Sequence, residues 1–281
     1  MSENRFNYVV ILDSIPAGDL NTARRLHEDI ETCAAAYSPT PGIAYLRVEN
    51  QSSLFDYLEQ LRLQNVQNHA FPLLHIESHG YEDGLQLADR SLVSWESLKE
   101  ALIPLNVAMR LNLMVVLASC FGGAFIKALR LSDRAPVWGL IGPTQAVSFG
   151  EVETHFGTFY RKLFSTGSPR EAVDALNQVS RPGIYLRTTA EGFFYRVWRR
   201  YKEEQCTPRK LKARARRMRE RAKAQKMGPL LKVSEFKERL IRQEPEEFNK
   251  FRDTYFMCDL YPENQHRFSV TYKKAEAFDD R

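Results

Sequence analysis

Cysteine is scarce in this chain of 281 residues, and its four copies are scattered. Cys33, Cys120, Cys206 and Cys258 include no CxxC pair. This spacing provides neither the paired ligands of a zinc site nor the framework of a small disulfide-stapled fold. We therefore expect reduced thiols, no bound metal and no other cofactor.

Long apolar runs are also missing. The most apolar stretch, Leu111–Leu129, is broken by Asn112, Ser119 and the glycine pair at 122–123. These breaks favour a buried strand and a turn over a transmembrane helix. No glycine cluster has the spacing of a phosphate-binding loop. The first seven residues resemble no secretory signal. We therefore expect a cytoplasmic protein without membrane contact.

Apolar runs of strand length do recur along the first 180 residues, and they alternate with segments of helical periodicity. The predicted strands are 8–12, 43–48, 73–78, 111–119 and 137–141. The predicted helices are 20–37, 54–61, 95–105, 151–164 and 169–179, and a hairpin is predicted over 84–94. This alternation predicts an α/β fold, a three-layer sandwich in which helices cover both faces of a mostly parallel sheet.

The composition changes near residue 181, so we divide the chain into domains 1–180 and 181–281. Residues 196–226 hold fourteen Lys/Arg against three Glu, a formal charge of +11, whereas the whole chain carries +5. Thr207-Pro208 marks a helix start and Gly228-Pro229 a stop. Further helices are predicted from 234 and 245, and a closing strand over 267–272. We expect a basic, mainly helical accessory module.

Two short motifs follow predicted buried strands. His79-Gly80 ends one strand, and Ser119-Cys120-Phe121-Gly122-Gly123 ends the next. If these strands are parallel neighbours, their carboxyl ends share one crevice. A thiolate is a nucleophile, and an adjacent imidazole favours the thiolate and can protonate a leaving amine. The pair therefore predicts nucleophilic catalysis by Cys120 with His79.

The order of these motifs resembles the caspase-like (caspase–hemoglobinase) cysteine peptidases, including the CHAT-type proteases of bacteria. The resemblance covers about residues 5–180, a typical domain size. It implies a regulated endopeptidase in which Cys120 is the nucleophile and His79 the acid/base. It also implies that the backbone N–H groups of Gly80 and Cys120 bind the oxyanion. A protein substrate, activation by a nucleotide second messenger or partner protein, and a role in antiviral defence are further implications.

Acidic residues near the predicted crevice suggest a substrate preference. Asp13 ends the first strand, and Glu151 and Glu153 follow the fifth. A carboxylate that faces a guanidinium forms a strong, charge-assisted pair. We therefore predict these three residues as an S1 site for a basic P1 residue, although Asp13 could equally be a turn residue.

Two other groups permit more than one interpretation. His75 and Glu77 precede His79 at strand spacing, so Glu77 could orient His79, but two polar side chains near a strand end are the simpler reading. His155 and Glu151 have the i, i+4 spacing of a helical pair. Without further ligands, this pair is better explained as a surface or boundary contact than as a metal site.

The accessory module interleaves aromatic rings with arginines between residues 193 and 201. Trp198 could stack on a base while Arg199 and Arg200 pair with phosphates, which would form an anion or nucleotide site. Phe194, Val197, Trp198 and Tyr201 also have the spacing of one buried helical face. The alternative function is therefore a catalytically silent scaffold that binds nucleic acid through residues 196–226 or an anionic ligand.

Overall fold

The computed structural model describes residues 6–36, 40, 42–68, 70–226 and 228–278. Contacts between residues divide the chain into two units. The first unit comprises residues 1–129 and 135–190, and the second comprises 130–134 and 191–281. The first unit includes the strand at 185–189, so the division falls ten residues after the boundary predicted from composition.

A six-stranded, mostly parallel sheet forms the centre of the first unit. Its strands are β1 (Tyr8–Asp13), β2 (Gly42–Arg47), β3 (Pro72–Glu77), β7 (Met114–Ala118), β8 (Gly139–Pro143) and β9 (Tyr185–Thr189). They lie in the order β2-β1-β3-β7-β8-β9, and only β9 runs antiparallel to its neighbour. β3 and β7 are adjacent and parallel, with Glu77 opposite Ala118 at their carboxyl ends.

Helices cover this sheet because its strands are apolar on both faces. The helices of this unit are α1 (Thr22–Ala34), α2 (Gln51–Asn68), α3 (Trp95–Ala108), α4 (Phe149–Thr166) and α5 (Pro169–Val179). One continuous core joins α1, α4 and α5 to alternate strand residues such as Val9 and Val116. The intervening residues Val10 and Val115 are also fully buried. This is the two-sided burial expected of a parallel sheet.

A small antiparallel sheet follows β3. It consists of β4 (His79–Tyr81), β5 (Gly84–Gln86) and β6 (Leu92–Ser94), and it corresponds to the predicted hairpin region. A 3-10 helix at Gly122–Ala128 follows β7 directly. Both connections therefore leave the same end of the central sheet, where the two predicted catalytic residues lie.

The second unit is helical. Its helices are α6 (Ala190–Gln205), α7 (Pro208–Ala224), α8 (Val233–Arg242), α9 (Glu244–Tyr255), α10 (Asn264–Arg267) and α11 (Tyr272–Glu276). An aromatic cluster around Phe194, Trp198 and Phe248 forms its core. The predicted closing strand at 267–272 is wrong, because α10 and α11 occupy its two ends.

The α/β class and the mostly parallel sheet are confirmed. The sequence prediction omitted β9, whose register pairs Thr189 with Gly139 and Tyr185 with Pro143. Helix α1 ends at Ala34, earlier than predicted, and Tyr37 lies outside the described residues.

Candidate active site

His79 and Cys120 follow adjacent parallel strands. His79 comes two residues after the end of β3, and Cys120 comes two residues after the end of β7. The strands are in register up to Glu77 and Ala118, so the two segments leave the sheet side by side. Both side chains line one small cleft, as the sequence predicted.

The two segments touch through their backbones at Gly80. A Cβ atom on Gly80 would lie 2.9 Å from the carbonyl carbon of Cys120 and 2.9 Å from Ser119 Cβ, and closer still to the Cys120 carbonyl oxygen. A hydrogen bond of 3.2 Å also joins the Ser78 and Ser119 hydroxyls. Only a glycine allows this close approach, which explains why a glycine follows His79.

A sharp turn carries Cys120 out of the sheet. Phe121 has a φ of 58°, in the left-handed region that bulky residues rarely adopt. The N–H of Gly122 donates to the Ser119 carbonyl at 2.9 Å and closes the turn. The strained residue directly after Cys120 is typical of functional turns, where the surrounding fold compensates local strain.

The cleft that holds both residues has a volume of about 40 Å³. Its polar lining, apart from His79 and Cys120, consists of Thr22, Glu77, Ser78 and Ser119. Its apolar lining consists of Ile15, Ala118, Val147, Phe149 and Val152. These residues come from the ends of β3 and β7 and the positions just after them, from the start of α4 and the loop before it, and from the loop after β1 and the first residue of α1. The carboxyl ends of the parallel strands thus form a site of the kind common in open α/β folds.

Asp19 holds the imidazole of His79. Its Oδ2 lies 2.8 Å from His79 Nε2, and both side chains are partly exposed. A carboxylate in this position keeps the ring proton on Nε2 and leaves Nδ1 free to exchange a proton. Asp19 was not predicted from the sequence, because it lies in the loop between β1 and α1 and no sequence pattern links that loop to His79.

The thiol of Cys120 contacts the backbone of Val147. The Val147 N–H donates to Sγ at 3.4 Å, and Sγ lies 3.6 Å from the Val147 carbonyl oxygen. Among the described residues, no hydrogen bond joins Cys120 to His79. Catalytic hydrogen bonds often form only when substrate is present, so this geometry is compatible with a nucleophile and base on one cleft.

The backbone N–H of Cys120 has no hydrogen-bond acceptor among the described residues. Backbone N–H groups aimed at developing negative charge stabilise the intermediates of acyl transfer. The Cys120 N–H is therefore available for this role. The backbone of Gly80, the second predicted donor, lies directly against Cys120.

A buried polar chain lies behind the cleft. The Thr22 hydroxyl donates to Glu77 Oε1, and Glu77 Oε2 lies 3.2 Å from His75 Nε2. His75 Nδ1 lies 3.0 Å from the Tyr160 hydroxyl. Glu77 is therefore bonded to Thr22 and His75, and the contact that orients His79 comes from Asp19.

The structure places Asp13 outside the cleft lining. Its side chain is fully buried and accepts hydrogen bonds from the Ile15 N–H, Asn21, Tyr45 and Arg47. The bond to Arg47 Nη1 is 2.9 Å long. Because these partners occupy the carboxylate, Asp13 has the structural role of a turn residue at the end of β1, and we do not retain it in the S1 site.

Glu151 and Glu153 also lie off the cleft lining. Glu151 forms a capping box with Ser148 and pairs with Arg181 at 2.8 Å. The hydrogen bonds from Ser148 and then from Arg181 lower the pKa of Glu151 to about 2. Glu153 Oε2 lies 3.7 Å from Arg25 Nη1, so the two side chains form an ion pair. Helix α4 instead contributes apolar side chains to the cleft, which corrects the predicted placement of both carboxylates.

The predicted anion site does not present a ring for stacking. Trp198 is 1% exposed and packs edge-on against Phe248 within the second unit. Arg199 Nε lies 3.0 Å from Glu203 Oε1. Arg200 also interacts with another group of the protein. The interpretation of Trp198 as part of a buried helical face is the one that the packing favours.

Helix α7 carries most of the exposed positive charge. Its seventeen residues include nine lysines and arginines and one glutamate. Eight exposed cations on and just after it have no partner among the described residues. They are Arg209, Lys210, Lys212, Arg216, Arg217, Arg221, Lys223 and Lys226. Leu211 and Ala215 form its buried side.

No family model and no curated protein sequence matches this chain. In the described part of the chain, no three His, Cys, Asp or Glu side chains are grouped so that they could hold a metal ion. No helix within the described ranges combines the length and apolar character needed to cross a bilayer.

Proposed function

We propose that the chain is a cysteine endopeptidase with a caspase-like arrangement of its first unit. The observation that carries this proposal is that Cys120 and His79, from adjacent strand ends, line the same cleft. The α/β sheet with helices on both faces agrees with the three-layer sandwich that the resemblance implies. Asp19 adds a third member that orients the imidazole.

In the proposed reaction, His79 Nδ1 takes the proton of the Cys120 thiol. The sulfur then attacks the carbonyl carbon of the scissile peptide, and the Cys120 N–H stabilises the oxyanion. His79 returns its proton to the leaving amine, whose C–N bond breaks and leaves a thioester. A water molecule, deprotonated by His79, then hydrolyses the thioester and restores the thiol.

A peptide-library cleavage assay tests this function with Cys120→Ala and His79→Ala. Each change is expected to abolish cleavage. Removing one member of a catalytic unit lowers the rate nearly as much as removing all of its members. The screen is run with and without cyclic and NAD-derived nucleotides, since the resemblance implies an activating signal.

Cys33→Ala is the matched control, because Cys33 packs against the core of the sheet and does not line the cleft. It is expected to retain wild-type cleavage. Cleavage by Cys120→Ala at the wild-type rate would refute the proposal.

A second candidate function, binding of nucleic acid, is favoured by the surface of α7. Eight exposed cations without a described partner give this surface a high density of positive charge. Lysines and arginines of this density displace counterions from a phosphate backbone, and the resulting binding weakens steeply with salt. Because Trp198 is buried, this function does not use base stacking on its ring.

Binding to a duplex DNA oligonucleotide at several salt concentrations tests this second function. In the Arg216→Glu/Arg217→Glu variant, the slope of log binding constant against log salt concentration is expected to become shallower by about 2, because two phosphate contacts are lost. Arg24→Glu/Arg25→Glu on α1 removes the same charge elsewhere and is expected to leave the slope unchanged. Equal binding by both double variants would exclude α7 as the binding surface.

A further inference from the structure

The loop between β1 and α1, residues 14–21, carries the Asp19 carboxylate that holds His79. Within this loop the Asp19 N–H donates to the Pro16 carbonyl at 3.2 Å and closes a tight turn. Gly18, the third residue of the turn, has a φ of 97°, which a glycine adopts without strain. Directly after the turn, Asp19 Oδ2 lies 2.8 Å from His79 Nε2. The orientation of the imidazole therefore depends on where the loop holds this turn.

The Asp13 carboxylate binds the chain on both sides of the turn. Its Oδ1 accepts from the Ile15 N–H at 2.9 Å, and its Oδ2 accepts from Asn21 Nδ2 at 2.7 Å. Asp13 is fully buried, and Arg47 Nη1 lies 2.9 Å from Oδ2. Arg47 thus supplies the charge partner that a buried carboxylate requires, while other lone pairs accept from the loop.

Glu77 binds the same segment from the neighbouring strand. Its backbone carbonyl accepts from the Ser14 N–H at 2.8 Å, and its Oε1 accepts from the hydroxyl of Thr22, the first residue of α1. Glu77 lies opposite Asp13 in the parallel register of β1 and β3. Each of these two paired, buried residues therefore contacts the chain both before and after the turn that carries Asp19.

We propose that Asp13 and Glu77 are positioning residues of the site, which together hold loop 14–21 so that Asp19 orients the His79 imidazole. This inference rests on the proposed peptidase function. It gives a role to two carboxylates whose oxygens are already bonded within the fold. Their effect on the reaction is one of distance, because a catalytic group displaced by about 1 Å can lose on the order of a hundredfold in rate.

The rate at which iodoacetamide alkylates Cys120 tests this assignment on the full chain. In the reaction Cys120 Sγ displaces iodide and forms a thioether, and the thiol proton passes to His79 Nδ1. Mass spectrometry locates the label and gives its rate. Without the carboxylate that orients the imidazole, Asp19→Ala is expected to react about tenfold more slowly than the wild-type protein.

Two variants release the loop, one at each carboxylate. Thr22→Val keeps the shape of the side chain but removes the hydroxyl that donates to Glu77. Asn21→Ser keeps a good N-cap for α1 but is too short to reach Asp13. Each variant is expected to alkylate about threefold to tenfold more slowly, up to the loss in Asp19→Ala. Thr22→Ser, which keeps the hydroxyl, should restore the rate lost in Thr22→Val.

Combination with Asp19→Ala separates positioning from a general loss of structure. If the loop acts through Asp19, adding Thr22→Val or Asn21→Ser to Asp19→Ala lowers the rate no further. Independent structural damage would instead multiply the two losses, since effects at uncoupled sites add in free energy. Thermal unfolding of each variant checks that the fold is intact.

A matched pair of glycines tests the turn itself. Gly18 and Gly167 both have positive φ, 97° and 65°, and at neither would a Cβ meet an atom within 4 Å. Alanine therefore imposes backbone strain at both positions without any clash. Gly18→Ala is expected to slow Cys120 alkylation, whereas Gly167→Ala, at the end of α4, should react at the wild-type rate.

Wild-type rates in folded Thr22→Val and Asn21→Ser variants would overturn the inference, and so would losses that multiply with that of Asp19→Ala. An Asp19→Ala rate equal to the wild-type rate would overturn it as well. Where one loop variant fails to fold, the other decides within the same cycle. The peptidase proposal is judged separately, because peptide cleavage that survives Cys120→Ala refutes that proposal whatever the alkylation rates are.

Discussion

Replacing Gly80 with alanine should move the two catalytic segments apart without removing either reactive side chain. The added Cβ would lie 2.9 Å from the Cys120 carbonyl carbon and 2.9 Å from Ser119 Cβ. Carbon atoms in contact normally lie about 3.5–4.0 Å apart, so the segments must separate by roughly 0.6–1.1 Å. The nearer Cys120 carbonyl oxygen increases that displacement.

A displacement of about 1 Å between catalytic groups can cost on the order of a hundredfold in rate. We expect Gly80→Ala to lose peptide cleavage and Cys120 labelling by about that factor. Overpacking at a buried site also destabilises a protein by about 1–3 kcal/mol. Denaturant unfolding measures this second effect separately from the rates.

Gly150→Ala is the matched control. Gly150 lies in α4, and a Cβ there would meet nothing within 4 Å. Alanine is the better helix former, so this variant is expected to be as active and at least as stable as the wild-type protein. If Gly80→Ala is as active and as stable as Gly150→Ala, the close approach of the two segments has no role in the site.

The remaining predictions concern the base, the thiol and pH. Asp19→Ala should lower kcat of any peptide cleavage about tenfold or more with an intact fold, and an unchanged kcat would remove Asp19 from the site. Iodoacetamide should label Cys120 before Cys258 on mass spectrometry, because burial raises the pKa of Cys258 to about 11, and the opposite order would contradict an activated Cys120. Burial also lowers the pKa of His155, so the folded state binds its proton less readily than the unfolded state. Stability should therefore fall as pH drops below about 6.5, and unfolding of His155→Gln, measured across pH 5–8, should show a shallower fall.

The structure bears out the parts of the prediction that depend on local pattern. The unbroken apolar runs at 8–12 and Met114–Ala118 predicted strands buried on both faces, and both form such strands in the central sheet. The position of His79 and Cys120 just after such strands placed both residues in one cleft. The i, i+3, i+4, i+7 spacing of Phe194, Val197, Trp198 and Tyr201 also predicted the buried helical face that contains Trp198.

The sequence prediction failed where a segment's role depends on its neighbours. The strand-like run at 267–272 has no described sheet to join in the second unit, and its residues 268–271 form an irregular link between α10 and α11. Conversely, β9 is a strand because β8 offers it an edge for antiparallel pairing. Strand preference reflects packing and pairing, so a short isolated run does not determine its own structure.

The sequence by itself determined the alternating α/β order and the two strand-end motifs, because hydrophobic periodicity and turn residues act over a few neighbouring positions. The tertiary structure decided which carboxylates meet those motifs. It paired Asp13 with Arg47, turned Asp19 towards His79 and placed Glu77 at the cleft. These contacts join residues far apart in the chain, and only the packing of the strands and helices brings them together.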